Sequence, residues 1–111
     1  MFSQGDIVII PVPFTDNVGY KLRPAVIISS EAVHRTGDVM IVQITSKQKN
    51  DRLSISLSNE DVSENLPVKS YIRFHKIFVL EQNLIKGKVS RLKKDKYQEL
   101  IKEITRIITL K

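Results

Sequence analysis

The chain has 111 residues, 41% hydrophobic and 27% charged: enough for one core, too few for two, and too apolar for a disordered polymer. It contains no cysteine, which excludes a disulfide framework and any thiolate metal site. Lys and Arg total 18 against 12 acidic residues, and the resulting net charge of +6 attracts polyanions (RNA, DNA, anionic membrane or an acidic protein) without choosing among them.

In chain order, Gly5-Asp6 opens a strand at Ile7 to Val12, with Pro11 and Pro13 bending or ending it. Phe14 to Lys21 is polar and turn-rich and reads as an exposed loop. Strands follow at Pro24 to Ser29 and Asp38 to Thr45, joined by a connection at Glu31 to Gly37 in which His34 reads as exposed. Leu53, Ile55 and Leu57 alternate with Ser54, Ser56 and Ser58, the pattern of a strand with one wet face. Asn59 to Val62 suggests a short helical turn. Lys69 to His75 alternates again, with Ile72 and Phe74 inward and Tyr71, Arg73 and His75 opposite; Ile77 to Glu81 forms another strand, and a hairpin lies near Gly87. Tyr97, Leu100, Ile101, Ile104 and Ile107 or Ile108 recur at helical spacing, predicting an amphipathic helix over Lys94 to Thr109. The expected fold is mainly β: a single domain over residues 1–111, built as a small curved β-barrel closed by a C-terminal amphipathic helix. No run approaches the length of a membrane span, and residues 1–6 lack a secretory signal pattern, so a cytoplasmic location is expected.

Several kinds of chemistry have no support in the residues. The chain has no Walker loop, no His-Glu-x-x-His and no carboxylate cluster suited to two-metal catalysis, and its two histidines are far apart. Arg23 precedes Pro24, which restricts it to extended backbone, and from that dipeptide alone it reads more readily as a surface charge than as a ligand. Thr45 is an ordinary strand residue, and Ser46 and Lys47 suit a turn. Arg73 and His75, two residues apart on one strand, are placed on one face, roughly 7 Å apart at Cα. Lys47, Lys49 and the run Lys86, Lys88, Arg91, Lys93, Lys94 and Lys96 suit either phosphates or solvent; the run beside the helix is assigned to solvent.

Gly5-Asp6-Ile7-Val8, Pro13-Phe14-Thr15-Asp16, Lys21-Leu22-Arg23-Pro24-Ala25-Val26-Ile27-Ile28 and Val42-Gln43-Ile44-Thr45-Ser46 occur in order at compact spacing, followed by Ser70-Tyr71-Ile72-Arg73, Leu80-Glu81 and the closing helix. In this the chain resembles the MazF/PemK family of toxin endoribonucleases from Gly5 to about Ile108. The resemblance implies an SH3-like, CcdB/MazF-type barrel, a homodimer and a cleft for single-stranded RNA. It also implies cleavage without metal or other cofactor, giving 2′,3′-cyclic phosphate and 5′-hydroxyl ends, and neutralisation by an antitoxin, for which an acidic, partly disordered chain suits the basic surface. The family's catalytic pair falls on Arg23 and Thr45. In the PemK branch an arginine matches Arg73 and an aspartate serves as base two residues later; here that place is His75, a competent proton-transfer group near neutral pH. Thr15, Asp16, Tyr20 and Lys21 then border the RNA cleft with Ser46 and Lys47. Within that group Tyr20 is a candidate for stacking on a base, and Asp16 is assigned first to a turn. Two other activities fit the same fold: a CcdB-like toxin that binds DNA gyrase, and a non-catalytic SH3-like RNA-binding module.

Overall fold

The computed structural model describes residues 2–14, 16 and 18–111. Thr15 lies outside the described residues. Six strands form one antiparallel sheet in the order β4-β5-β3-β2-β1-β6. They are β1 (Asp6–Pro13), β2 (Tyr20–Ile27), β3 (Asp38–Thr45), β4 (Ser54–Leu57), β5 (Ser70–Glu81) and β6 (Gly87–Arg91); α1 (Glu31–His34) and α2 (Lys94–Ile108) complete the chain with 3₁₀ turns at Asn59–Asp61 and Gln82–Leu84.

On β1, β2, β3 and β5 neighbouring residues enter different cores, which is what period-two geometry produces when both faces of a sheet are covered. Ile7, Val26, Val42, Ile44, Ile72 and Phe74 point to one side, where Leu57, Val62 and Leu92 join them and α2 seals the cluster with Leu100 and Ile104. Val8, Ile10, Ala25, Ile27, Val39 and Ile41 point to the other side and pack against Phe2, Val12, Phe78, Leu80 and Ile85. The sheet curls until the segments that follow its two outermost strands meet. Ser63 N donates to Arg91 O (2.9 Å), Lys93 N donates to Asp61 O (2.9 Å), and Val62 bridges Leu92. Ser90 Oγ lies across the same seam, accepting from Glu64 N and donating to Glu64 O. This is the curled half-barrel with a C-terminal helix that the alternation and the final apolar stripe predict.

The helix forms where it is expected because its apolar residues recur every three or four positions, while Asp95 in the first turn and Arg106 in the last suit the helix dipole. Glu103 accepts from Arg106 at 3.0 Å on its wet face. Ile107 reaches the core and Ile108 stays 71% exposed, which settles the end of the stripe.

Four expectations change. The hairpin read near Gly87 does not form among the described residues, because β6 pairs with β1 and not with β5. Strand β2 starts at Tyr20, four residues before the predicted Pro24, because the turn-forming residues 16–19 end early and residues 20–23 already pair with Pro13 to Ile10. The two strands read at 69–75 and 77–81 are one strand, β5, interrupted by a bulge. His34 is buried rather than exposed: its Nε2 lies 2.8 Å from Ser29 Oγ, which accepts from Met40 N, and its carbonyl accepts from Gln82 Nε2.

Candidate nucleic-acid interface

The second face of the sheet changes character from one end to the other. On β3 the residues of that face run Val39, Ile41, Gln43, Thr45; on β2 they run Ile27, Ala25, Arg23. The apolar half is fully buried, and Arg23, Gln43 and Thr45 are half-buried. The β2–β3 ladder ends at Ala25 opposite Gln43, beside Pro24, which has no N–H to give. One side-chain repeat further along both strands, the same register sets Arg23 across from Thr45, where no backbone pairing continues. On the far side of β3, Thr45 pairs with Tyr71, Tyr71 with Ser56, and Arg73 with Ser54, so these side chains extend the polar end of that face onto β5 and β4.

The hydrogen-bonding state of each group decides what it can offer. Among the described residues Arg23 forms no ion pair, so its guanidinium keeps its donors for an incoming anion. Thr45 Oγ1 accepts from Lys47 N at 3.2 Å, which fixes the hydroxyl at the strand end and leaves its own proton to donate. Arg73 is in the opposite condition. It is 7% exposed, and its fork donates to both carboxylate oxygens of Asp51 at 2.8 Å and to Ser54 Oγ at 2.9 Å. The hydrogen bonds from Arg73 hold the Asp51 carboxyl well below the usual carboxylate range, and the same bridge pushes the arginine up.

His75 follows at the bulge. Val42 pairs with Ile77 and Ile44 with Ile72, so Gln43 alone faces the stretch from Arg73 to Lys76. Phe74 and Ile77 both belong to the helix-side cluster although three residues separate them, which places the irregularity at His75-Lys76. Strand alternation therefore no longer fixes the direction of the His75 ring relative to Arg73. Its Nδ1 is shut off from solvent without a hydrogen-bond partner, and an N–H there would be orphaned; the neutral ring then carries its proton on Nε2.

The residues bordering this end are arranged as follows. Asp16 Oδ1 accepts from Val18 N at 3.0 Å, the turn-forming role assigned first. Lys21 Nζ lies 5.7 Å from the Phe14 ring centroid, and Tyr20 is 57% exposed. Ser46 and Lys47 are exposed just beyond Thr45.

A family profile described as PemK-like, MazF-like toxin of type II toxin-antitoxin system matches residues 3–108. The chain belongs to this toxin family. Solved structures agree in fold. An endoribonuclease in complex with its cognate antitoxin from a mycobacterial species is 17% identical, with a TM-score of 0.78 over 100% of this chain and 98% of that one. The MazE–MazF complex from Deinococcus radiodurans is 19% identical, with a TM-score of 0.79 over 99% and 98%. The Mycobacterium tuberculosis toxin MazF-mt6 is 17% identical, with a TM-score of 0.74 over 96% and 98%. None of the curated proteins matches.

For this member of the toxin family, sequence reasoning missed Asp51, Ser54 and Gln43 as parts of the polar end. Ser54 was accessible in principle, since the serine alternation of β4 marks its wet face. Asp51 carries no local signal, because it lies 22 residues before the arginine it grips.

Three of the six cations in the basic run near the helix have acidic partners. Lys88 and Arg91 approach the buried Asp6 at 3.2 and 3.9 Å, and Lys96 lies 3.2 Å from Glu99 and 3.6 Å from Asp61. Burial works to raise the Asp61 carboxyl, but hydrogen bonds from Ser58 and the Lys96 charge outweigh it and leave the group lowered. No described helix is long and apolar enough to cross a membrane.

Proposed function

We propose that the protein is an endoribonuclease toxin that cuts single-stranded RNA through attack by the RNA's own 2′-hydroxyl. The observation that carries this reading is the polar end of the second face, where a guanidinium with no ion-pair partner among the described residues stands across an open ladder end from a hydroxyl with a proton to donate. In the reaction the 2′-oxygen bonds to phosphorus, the P–O5′ bond breaks, the 2′-hydroxyl loses its proton and the departing 5′-oxygen gains one. Negative charge grows on the equatorial phosphoryl oxygens, and the fixed charge of Arg23 with the hydroxyl of Thr45 meets it there. This assignment uses no metal or other cofactor.

His75 is the candidate proton carrier, taking the proton that the 2′-hydroxyl loses and passing one to the departing 5′-oxygen. Arg73 joins the same phosphate-binding end, with Tyr20, Lys21, Ser46 and Lys47 as contacts to the flanking nucleotides and Thr15 and Asp16 in the loop between β1 and β2. Membership of the toxin family, together with relatives solved in complex with antitoxins, supports an antitoxin partner for this chain; the net charge of +6 suits an acidic one, and the toxin is read as a homodimer acting in the cytoplasm.

Purified protein incubated with a long single-stranded RNA in EDTA tests the reading. The expected products end in 2′,3′-cyclic phosphate and 5′-hydroxyl; RNA left intact at high protein concentration overturns it.

A further inference from the structure

Arg73 and Asp51 make the tightest polar contact on this face. Two N–H groups of one guanidinium donate in parallel to two oxygens of one anion, which is also how arginine takes a phosphoryl group. The pair is layered: the Arg73 side chain is 9% exposed and that of Asp51 41%, so an approaching phosphate meets the acid before the base. Asp51 rides on the 46–53 loop between β3 and β4, and Oδ1 also accepts from Leu53 N at 3.1 Å. The next residue, Arg52, has φ +63°, a left-handed conformation that a side-chain-bearing residue adopts at a cost. The loop thus holds its carboxylate in place with a strained neighbour and little burial.

We propose that Asp51 is an internal anion occupying Arg73 in place of a substrate phosphate, and that the 46–53 loop is a strap which single-stranded RNA displaces. The inference rests on the nuclease reading and adds a second phosphate position to it. Tyr71 is the cross-strand partner of Thr45, and Arg73 lies two residues beyond it, about 7 Å along β5. That step is comparable to the distance between successive phosphates of a nucleotide chain. Because Arg73 keeps the Asp51 carboxyl ionised at any physiological pH, mild acid does not release the strap. A competing anion does.

Binding of a fluorescent single-stranded oligonucleotide, 2′-deoxy throughout so that it is not cut, is measured against salt concentration. On single strands each neutralised phosphate adds about 0.7 to the slope of log affinity against log salt. Asp51→Asn is expected to bind about fivefold more tightly with the slope unchanged, because RNA already reaches Arg73 in the wild type once the strap is displaced. Arg73→Gln, alone or combined with Asp51→Asn, should lower the slope by about 0.7. Glu81→Gln, an equal change of charge at an exposed strand end, should leave both affinity and slope alone.

An unchanged affinity in a folded Asp51→Asn protein overturns the proposal, and so does an equal gain in Glu81→Gln or a slope that Arg73→Gln leaves unchanged. The wild-type protein supplies a measurement independent of variant folding: the Arg73 Nη–H resonances should move as the oligonucleotide saturates the protein, and stationary resonances overturn the strap. A wild-type protein that neither binds the oligonucleotide nor cuts RNA removes the nuclease reading itself. One that does both while Asp51→Asn behaves identically removes only the strap.

Discussion

Two basic regions of the molecule differ in what surrounds their charges. The corner of β6 and α2 holds the longer run of lysine and arginine, yet Lys88, Arg91 and Lys96 face Asp6, Asp61 and Glu99. The open end of β2 and β3 holds fewer cations, and Arg23 has no ion pair among the described residues. Partnering, rather than the number of charges, distinguishes a surface that can receive a polyanion from one that is already compensated. Arg73 shows the same contrast within a single face, since its charge is present in the sequence but committed to Asp51 in the fold.

The sharpest way to break the comparison is Arg23→Ala. If the uncommitted guanidinium stabilises the transition state, kcat/KM on single-stranded RNA should fall about a thousandfold with the circular dichroism spectrum unchanged. A normal rate would remove Arg23 from the mechanism. Thr45→Val keeps shape and strand preference but deletes the donor, and should cost about a hundredfold in kcat.

Smaller effects separate the structural charges from the functional ones. Asp51 and Asp61 both have carboxyls lowered in the folded state, so the stability they confer is complete above the unfolded value near pH ~4 and drains away as pH falls below it. Urea midpoints followed from pH 6 to pH 2 should therefore decline less steeply in Asp51→Asn than in wild type; parallel declines would deny the bridge its part in acid sensitivity. At the compensated corner, Arg91→Ala, which leaves Asp6 with Lys88, should change RNA binding by no more than about twofold in a filter-binding assay. A larger loss would move the interface towards the helix.

Much of the fold was legible because alternation and helical spacing act locally. Strand β3 has the predicted bounds, and the stripe of α2 names its own buried residues. The misreadings arise where local rules compete with distant contacts. The turn-forming residues before Tyr20 hide the early start of β2, whose pairing with β1 overrides their loop character. The division of β5 at Lys76 mistakes a bulge for a break, since an odd number of extra residues reverses the side-chain alternation without ending the strand. His34 reads as polar and therefore exposed, but Ser29 supplies a partner that permits burial. For the candidate site, spacing put Tyr71 and Arg73 on one face of their strand, whereas Arg23 and Thr45 came together only through the family resemblance. The Asp51 bridge and the bulge at His75 were legible from neither, because both depend on which strands become neighbours.

The seam that joins residues 61–64 to 90–93 has a consequence for how other polypeptides can grip this molecule. The border strands are four and five residues long, and their trailing segments already satisfy one another's amides and carbonyls. Little main chain is left there to template an added strand, so self-association by edge stacking is discouraged and a peptide ligand must hold on through side chains.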